Sequence, residues 1–120
     1  MTSVEYNLQE RTAKFGEEII IFSLSLQRNV ISTPLISQVV RSGTSVGANY
    51  MEALGAVSKR DFINKIFISK KELQETKHWL RMLATAFPDK SEQIKPLIKE
   101  AQELTLIFQK IGATSRKNEN

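Results

Sequence analysis

Apolar residues recur at intervals of three and four along almost the whole chain, and strand-like alternation bounded by turns is hard to find. The pattern predicts an all-α protein. A first helix is expected from Asn7 or Leu8 to Gln27 or Arg28, with Leu8, Phe15, Ile19, Phe22 and Leu26 on one face. Thr33-Pro34-Leu35 then offers a capping hydroxyl followed by a proline at the first helical position, where an amide would have no helical partner. From Pro34 the stripe Leu35, Val39, Gly43, Val46, Gly47, Tyr50, Leu54 runs on until Gly55 weakens the helix. Ser58 suits the N-cap of a third helix, with Asp61 three residues on, where a capping box usually has Glu or Gln. That helix should run to about Phe87, with Phe62, Ile66, Leu73, Leu80 and Leu83 as its apolar face and Thr76 among them. After Pro88 and a polar turn, a fourth helix from Ser91 to Ile111 buries Ile94, Leu97, Ile98, Ala101, Leu104, Phe108 and Ile111, near heptad spacing. Pro96 is expected to delay its regular start, and Gly112 to mark its end.

The second helix contains RSGTSVGANYMEA, residues 41–53, whose two glycines invite comparison with a phosphate-cradling loop. A Walker loop needs a preceding strand and a Gly-Lys-Ser/Thr ending, and a dinucleotide fingerprint needs a third glycine in a strand-to-helix turn. Neither is present, and the helical stripe passes straight through. Gly43 and Gly47 are four apart, so they clear one helical face for another backbone. Each costs roughly 1 kcal/mol of helix propensity relative to Ala, so close helix packing is the expected compensation.

Four helices, about 7–28, 34–55, 58–87 and 91–111, fit one domain spanning 7–112, with residues 1–6 and 113–120 as flexible ends. Their simplest packing is an antiparallel up-down-up-down four-helix bundle. Ile20, Ile21, Leu24, Ile63, Phe67, Ile68 and Trp79 broaden the apolar stripes beyond an internal seam, either to fill a wide core or to form the contacts of an oligomer, which together they favour. The 120 residues, 41% hydrophobic and 25% charged, are those of a folded domain. With no cysteine, disulfides, thiolate metal sites and thiol nucleophiles are excluded together. The N-terminal sequence lacks the pattern of a signal peptide, and IIIFSLSL at 19–26 is far shorter than the ~20 residues of a membrane span. The expectation is a cytoplasmic protein with no membrane partner.

Charge divides the chain unevenly. Four of the 17 basic residues and five of the 13 acids lie in 1–57; the remaining 13 and 8 lie in 58–120. On the third helix Lys70, Gln74, Lys77 and Arg81 follow one line, with Lys59 and Arg60 near its start. Lys59, Arg60, Lys70, Lys77 and Arg81 are therefore the candidate contacts to an RNA or DNA backbone, in a salt-sensitive, largely sequence-independent manner. Ordinary solvation of an exposed helix is the alternative.

Catalytic parts are scarce. His78 is the only histidine, which excludes paired-histidine metal sites and the Glu-x-x-His repeats of di-iron bundles. Glu72 and Glu75 are expected to form intrahelical ion pairs with Lys71 and Lys65. No enzymatic activity, metal or cofactor is expected. Arg41, Asn49 and Glu52 share the glycine-containing helix, and Asn49 and Glu52 are spaced to reach Lys65 or Lys59 on the third helix. With Lys65 and Glu72 they are candidates either for a polar network that fixes helix register or for a ligand or subunit contact.

The run 41–83 resembles the small four-helix-bundle family encoded in intervening sequences of bacterial large-subunit ribosomal RNA genes. Arg41, Ser45, Val46, Asn49, Glu52, Ala53, Ser58, Asp61, Phe62, Lys71, Glu72, Glu75, Thr76, Trp79 and Leu80 carry the likeness. The resemblance implies a ring-like homopentamer without established enzymatic activity. It also implies kinship with accessory proteins of diversity-generating retroelements, basic pentamers that associate with a reverse transcriptase and RNA. The function expected is a non-enzymatic homo-oligomer that binds nucleic acid through a basic helix face. The alternative is a scaffold that docks a partner protein, such as a reverse transcriptase, without touching nucleic acid.

Overall fold

A computed structural model describes the backbone of residues 3–117 and the side chains of residues 7–117. Among these residues the protein is all-α, with four helices: α1 (Ser3–Leu24), α2 (Ser32–Leu54), α3 (Lys59–Ala86) and α4 (Ser91–Lys117), the last preceded by a single 3-10 turn at Pro88–Lys90. They form a helical bundle of 49 × 24 × 19 Å. α1 packs on α2, α2 on α3, and α3 on α4, while a sparser α1–α4 contact completes the circuit.

The helix limits differ from those predicted, for local reasons. α1 begins at Ser3 and ends at Leu24, short of Gln27. There the Ser25 hydroxyl donates to the Phe22 carbonyl, and the amides of Ser25 and Leu26 close i→i+3 bonds that tighten and finish the turn. Leu26 still reaches the core from outside the helix. α2 starts at Ser32, ahead of Pro34, and Thr33 is not its cap. Asn29 does that work instead: its Oδ1 accepts from the amides of Ile31 and Ser32, while Ser32 Oγ accepts from the Asn29 amide and donates to the Gln27 carbonyl. Ser58 Oγ accepts from the Asp61 amide at 3.0 Å, so α3 has the N-cap read from the sequence.

α4 is the largest departure. It runs unbroken through exposed Pro96 and continues past Gly112 to Lys117, so residues 113–117 are helical rather than loose. A proline that early removes only one intrahelical donor. Gly112 is no terminator. It is buried because a Cβ there would lie 2.9 Å from Cζ of the Phe67 ring. The flexibility expected of residues 1–2 and 118–120 falls outside the described residues.

The core draws on all four helices, with Phe15, Ile19, Val39, Val46, Ile66, Leu73, Leu80, Ile94, Leu104 and Phe108 fully buried. Tyr50 and Phe108 meet edge to face, their centroids 5.5 Å apart. Numbers rise along α1 as they fall along α2: Gln9 meets Met51, Thr12 faces Gly47 and Ile19 faces Gly43. α2 and α3 behave alike, with Arg41 against Glu75 and Glu52 against Lys65.

α2 uses different chemistry on its two sides. Toward α1 it presents small residues. A Cβ on Gly43 would lie 3.0 Å from two carbons of Ile19, one on Gly47 would lie 3.4 Å from Thr12 Oγ1, and one on Gly16 of α1 would lie 3.5 Å from the Gly43 carbonyl. Toward α3 it presents hydrogen bonds. The Thr76 and Ser42 hydroxyls lie 2.8 Å apart, and the Ser69 hydroxyl donates to the Val46 carbonyl at 3.1 Å, all within the buried seam.

Candidate nucleic-acid interface

Lys70, Gln74, Lys77 and Arg81 lie on the flank of α3 that turns toward α4, a position fixed by the hydrogen bond from Lys77 Nζ to Gln102 of α4. Lys70 and Lys77 are half-buried along their stems and Arg81 is exposed, as expected of cations that lay methylenes on the bundle and keep their charge in water. From Lys70 to Arg81 the flank runs roughly 16 Å at 1.5 Å per residue. Lys59 and Arg60 are exposed in the first turn of α3.

What leaves this flank basic is the placement of the acids. Glu72 and Glu75 do not pair with Lys71 and Lys65 on their own helix. Both turn to Arg41 of α2, whose Nη1 lies 2.9 Å from Glu72 and whose Nη2 lies 2.7 Å from Glu75. On α4, Glu100 and Glu103 turn to Arg11 of α1; the Glu100 contact is bidentate, at 2.8 and 2.7 Å. Two arginines of the acid-leaning half thus draw four carboxylates of the basic half into interhelical seams. Among the described residues, no ion pair involves Lys70, Lys77 or Arg81.

The two clamps differ in depth. Glu72 is only 8% exposed, whereas Arg41 is 46% exposed, so the arginine's main task is to neutralise a carboxylate inside the α2–α3 seam. Burial opposes the charge on Arg41, yet attraction and hydrogen bonding to Glu72, then to Glu75, outweigh it and hold its pKa above the usual value. The Arg11 pKa is also raised, chiefly by its hydrogen bonds to Glu100.

The residues expected to form one polar network form two sites. Arg41 and Glu72 meet near the middle of the bundle; Glu52 and Lys65 pair separately, at 3.1 Å, toward its end. Asn49 joins neither, since its amide donates back to the Ser45 carbonyl of its own helix. Arg11 and Gly16 went unnoticed in the sequence. Gly16 carried the same signal as Gly43, a glycine inside a helical stripe; nothing local marks Arg11, whose partner is 89 residues away.

Two further surface features are defined. At the start of α3 a polar hollow of about 550 Å³ is lined by Ser58, Arg60, Asp61, Ile63, Asn64, Phe67 and Arg116, and the Arg116 guanidinium stacks 4.6 Å from the centre of the Phe67 ring. On the opposite pair of helices Ile20, Ile21 and Leu24 leave an apolar ribbon open along α1, with Leu24 76% exposed. His78 is exposed, its ring edge-on to Trp79. Among the described residues no cluster of His, Asp or Glu could hold a metal ion, and no helix is long and apolar enough to cross a membrane.

A small all-α bundle with Lys70, Lys77 and Arg81 along one flank of α3 and carboxylates paired to arginines across its helices is the class that fold and surface define. The chain belongs to the 23S rRNA-intervening sequence protein family, whose model matches residues 5–110 and so extends the likeness at 41–83 over nearly the whole bundle. Among solved structures it is similar to a protein with unknown function from the S23 ribosomal protein family of Bacteroides thetaiotaomicron VPI-5482. The two share 30% identity and a TM-score of 0.78, over 88% of this chain and 97% of the other. No curated protein matches it.

Proposed function

We propose that the protein is a non-enzymatic, homo-oligomeric, antiparallel four-helix bundle that binds the backbone of RNA or DNA through Lys59, Arg60, Lys70, Lys77 and Arg81. The observation that supports this most is the diversion of Glu72, Glu75, Glu100 and Glu103 to Arg41 and Arg11, which leaves the α3 flank cationic. The falling contact registers between successive helices favour the up-down-up-down course. A cysteine-free chain fits the cytoplasmic setting that belongs to this reading. Self-association into a ring-like homopentamer is part of this reading, and the open apolar ribbon on α1 supports it as a surface it would use.

The test is fluorescence anisotropy of labelled structured RNA and duplex DNA titrated with protein of known solution mass, at several salt concentrations. Five phosphate contacts per subunit predict that log affinity falls against log salt with a slope of about −3.5 for single strands to about −4.5 for duplex. The variant K70E/K77E/R81E should lose that binding and keep its helicity and mass. Unchanged affinity would remove the flank from the reading.

A second reading rests on the same apolar ribbon. Ile20, Ile21 and Leu24 lie on α1, away from the cations, and could seat a partner protein such as a reverse transcriptase with no nucleic acid involved. A well-folded oligomer that binds neither RNA nor DNA at low salt favours it.

A further inference from the structure

We propose that the hollow at the start of α3 receives one unpaired nucleotide, its base stacked on the Arg116 guanidinium that lies over the Phe67 ring and its phosphate held by Arg60. The inference rests on the reading that the α3 flank binds nucleic acid, and narrows it to strands that offer an unpaired base.

Position is the first argument. Arg60, Phe67, Gln74 and Arg81 are spaced by seven, so they follow the same side of α3. The hollow therefore continues the line of Lys70, Lys77 and Arg81, and Phe67 is only about 5 Å along the axis from Lys70. A strand that follows the cations toward the start of α3 arrives at an aromatic ring.

The second argument is what the hollow contains. The end of the Phe67 ring rests where Gly112 lacks a side chain, so the ring has a fixed seat against α4. Arg116, exposed in the last turn of α4, lays its guanidinium over that ring. Aromatic rings and guanidinium planes are the two surfaces on which proteins stack unpaired bases. Asn64 adds an amide with a donor and an acceptor for a base edge. The space, about 550 Å³, falls within the roughly 300–1,000 Å³ of small-molecule sites.

Electrostatics assigns the phosphate. The amide of Asp61 is already satisfied by Ser58 Oγ, so the α3 cap is occupied from within. Asp61 brings the one carboxylate on the wall, against the two guanidinium groups of Arg60 and Arg116. The balance is positive and favours a phosphate beside Arg60. A base held in a duplex keeps both faces stacked on its neighbours and cannot use the guanidinium plane, so the hollow should distinguish single strands from duplex.

The experiment compares a short unstructured RNA with a blunt duplex of equal length by anisotropy, using wild type, Arg116→Lys and Phe67→Leu. Arg116→Lys keeps the charge and removes the plane, and because the side chain is exposed it leaves the fold intact. Wild type should prefer the single strand. Arg116→Lys should weaken that strand about three- to tenfold and Phe67→Leu about tenfold, with duplex affinity changed less than about twofold. A fluorescent purine analogue in the strand should be quenched by wild type and less so by Arg116→Lys. Equal loss for both nucleic acids in Arg116→Lys would overturn the stacking role. If wild type binds both and neither variant changes the single strand, the inference fails while the basic flank stands. If wild type binds neither, the underlying reading fails, and this one with it.

Discussion

The two seams of α2 are built from opposite materials. Against α1 it removes side chains, so that Gly43 and Gly47 sit over Ile19 and Thr12. Against α3 it adds polar ones, so that Ser42, Arg41 and the Val46 carbonyl bond to Thr76, Glu72 with Glu75, and Ser69. The first seam gains contact from the close approach of two helices, and the one directional bond described across it, from Gln9 to Met51, is exposed at its end. The second fixes its register through groups that must be paired once buried. The polar seam also takes in the carboxylates that would otherwise neutralise α3, so a structural device shapes the surface proposed for binding.

The most damaging way to break the glycine seam is Gly43→Leu. Even a Cβ at that position meets Ile19 at 3.0 Å, and Ile19 is wholly buried, so the three further carbons of a leucine would have to displace core side chains. Overpacking of this kind should cost about 3 kcal/mol or separate the helices altogether. Urea unfolding followed by circular dichroism measures it, and a midpoint equal to wild type would show that Gly43 does not set the α1–α2 approach.

The polar seam should break more mildly and in a recoverable way. Arg41→Met leaves Glu72 buried without its partner, at a cost of about 1–3 kcal/mol. The double variant R41M/E72M removes the stranded carboxylate and should recover most of that loss, since a buried pair exchanged for apolar groups of similar shape is often near neutral. Glu75, 34% exposed, can turn to water in both variants. The Arg41 pKa is raised on folding, so its contribution is fully present below the guanidinium's ordinary pKa and is lost only as pH climbs through the folded value. The R41M defect should therefore be the same from neutral to mildly alkaline pH. A double variant as unstable as the single would mean that the pair does more than satisfy Glu72.

The difference between the seams also explains what could be read in the sequence. Periodicity is a local signal, and it placed the four helices, most of the core and both α2 glycines. Helix limits depend on single polar side chains that compete for backbone groups. Ser25 stops α1 and Asn29 starts α2, and neither stands out from other loop residues. Gly112 was ambiguous for a related reason: a glycine late in a helix marks an end or a close contact, and only the Phe67 ring decides between them. The ion pairs were beyond local reasoning. Lys71 and Lys65 stand near Glu72 and Glu75 in sequence, but the acids face α2, and Arg41 lies 31 and 34 residues away.

The smallest effect sharpens the comparison within the glycine seam itself. Gly47 lines the outer groove between α1 and α2 and is only half-buried, and a Cβ there meets Thr12 at 3.4 to 3.5 Å, ordinary contact distance. Gly47→Ala therefore keeps the helix spacing and gains the propensity that glycine gives up, so it should stabilise by up to about 1 kcal/mol. Gly43→Ala places the same methyl at 3.0 Å from Ile19, so strain offsets the propensity gain and the change should be neutral to destabilising. Paired thermal melts of the two alanine variants give the comparison directly. The order Gly47→Ala above wild type and Gly43→Ala at or below it means that one glycine is needed for the helix approach and the other only borders it. The reverse order would move the point of closest contact to the other end of GTSVG.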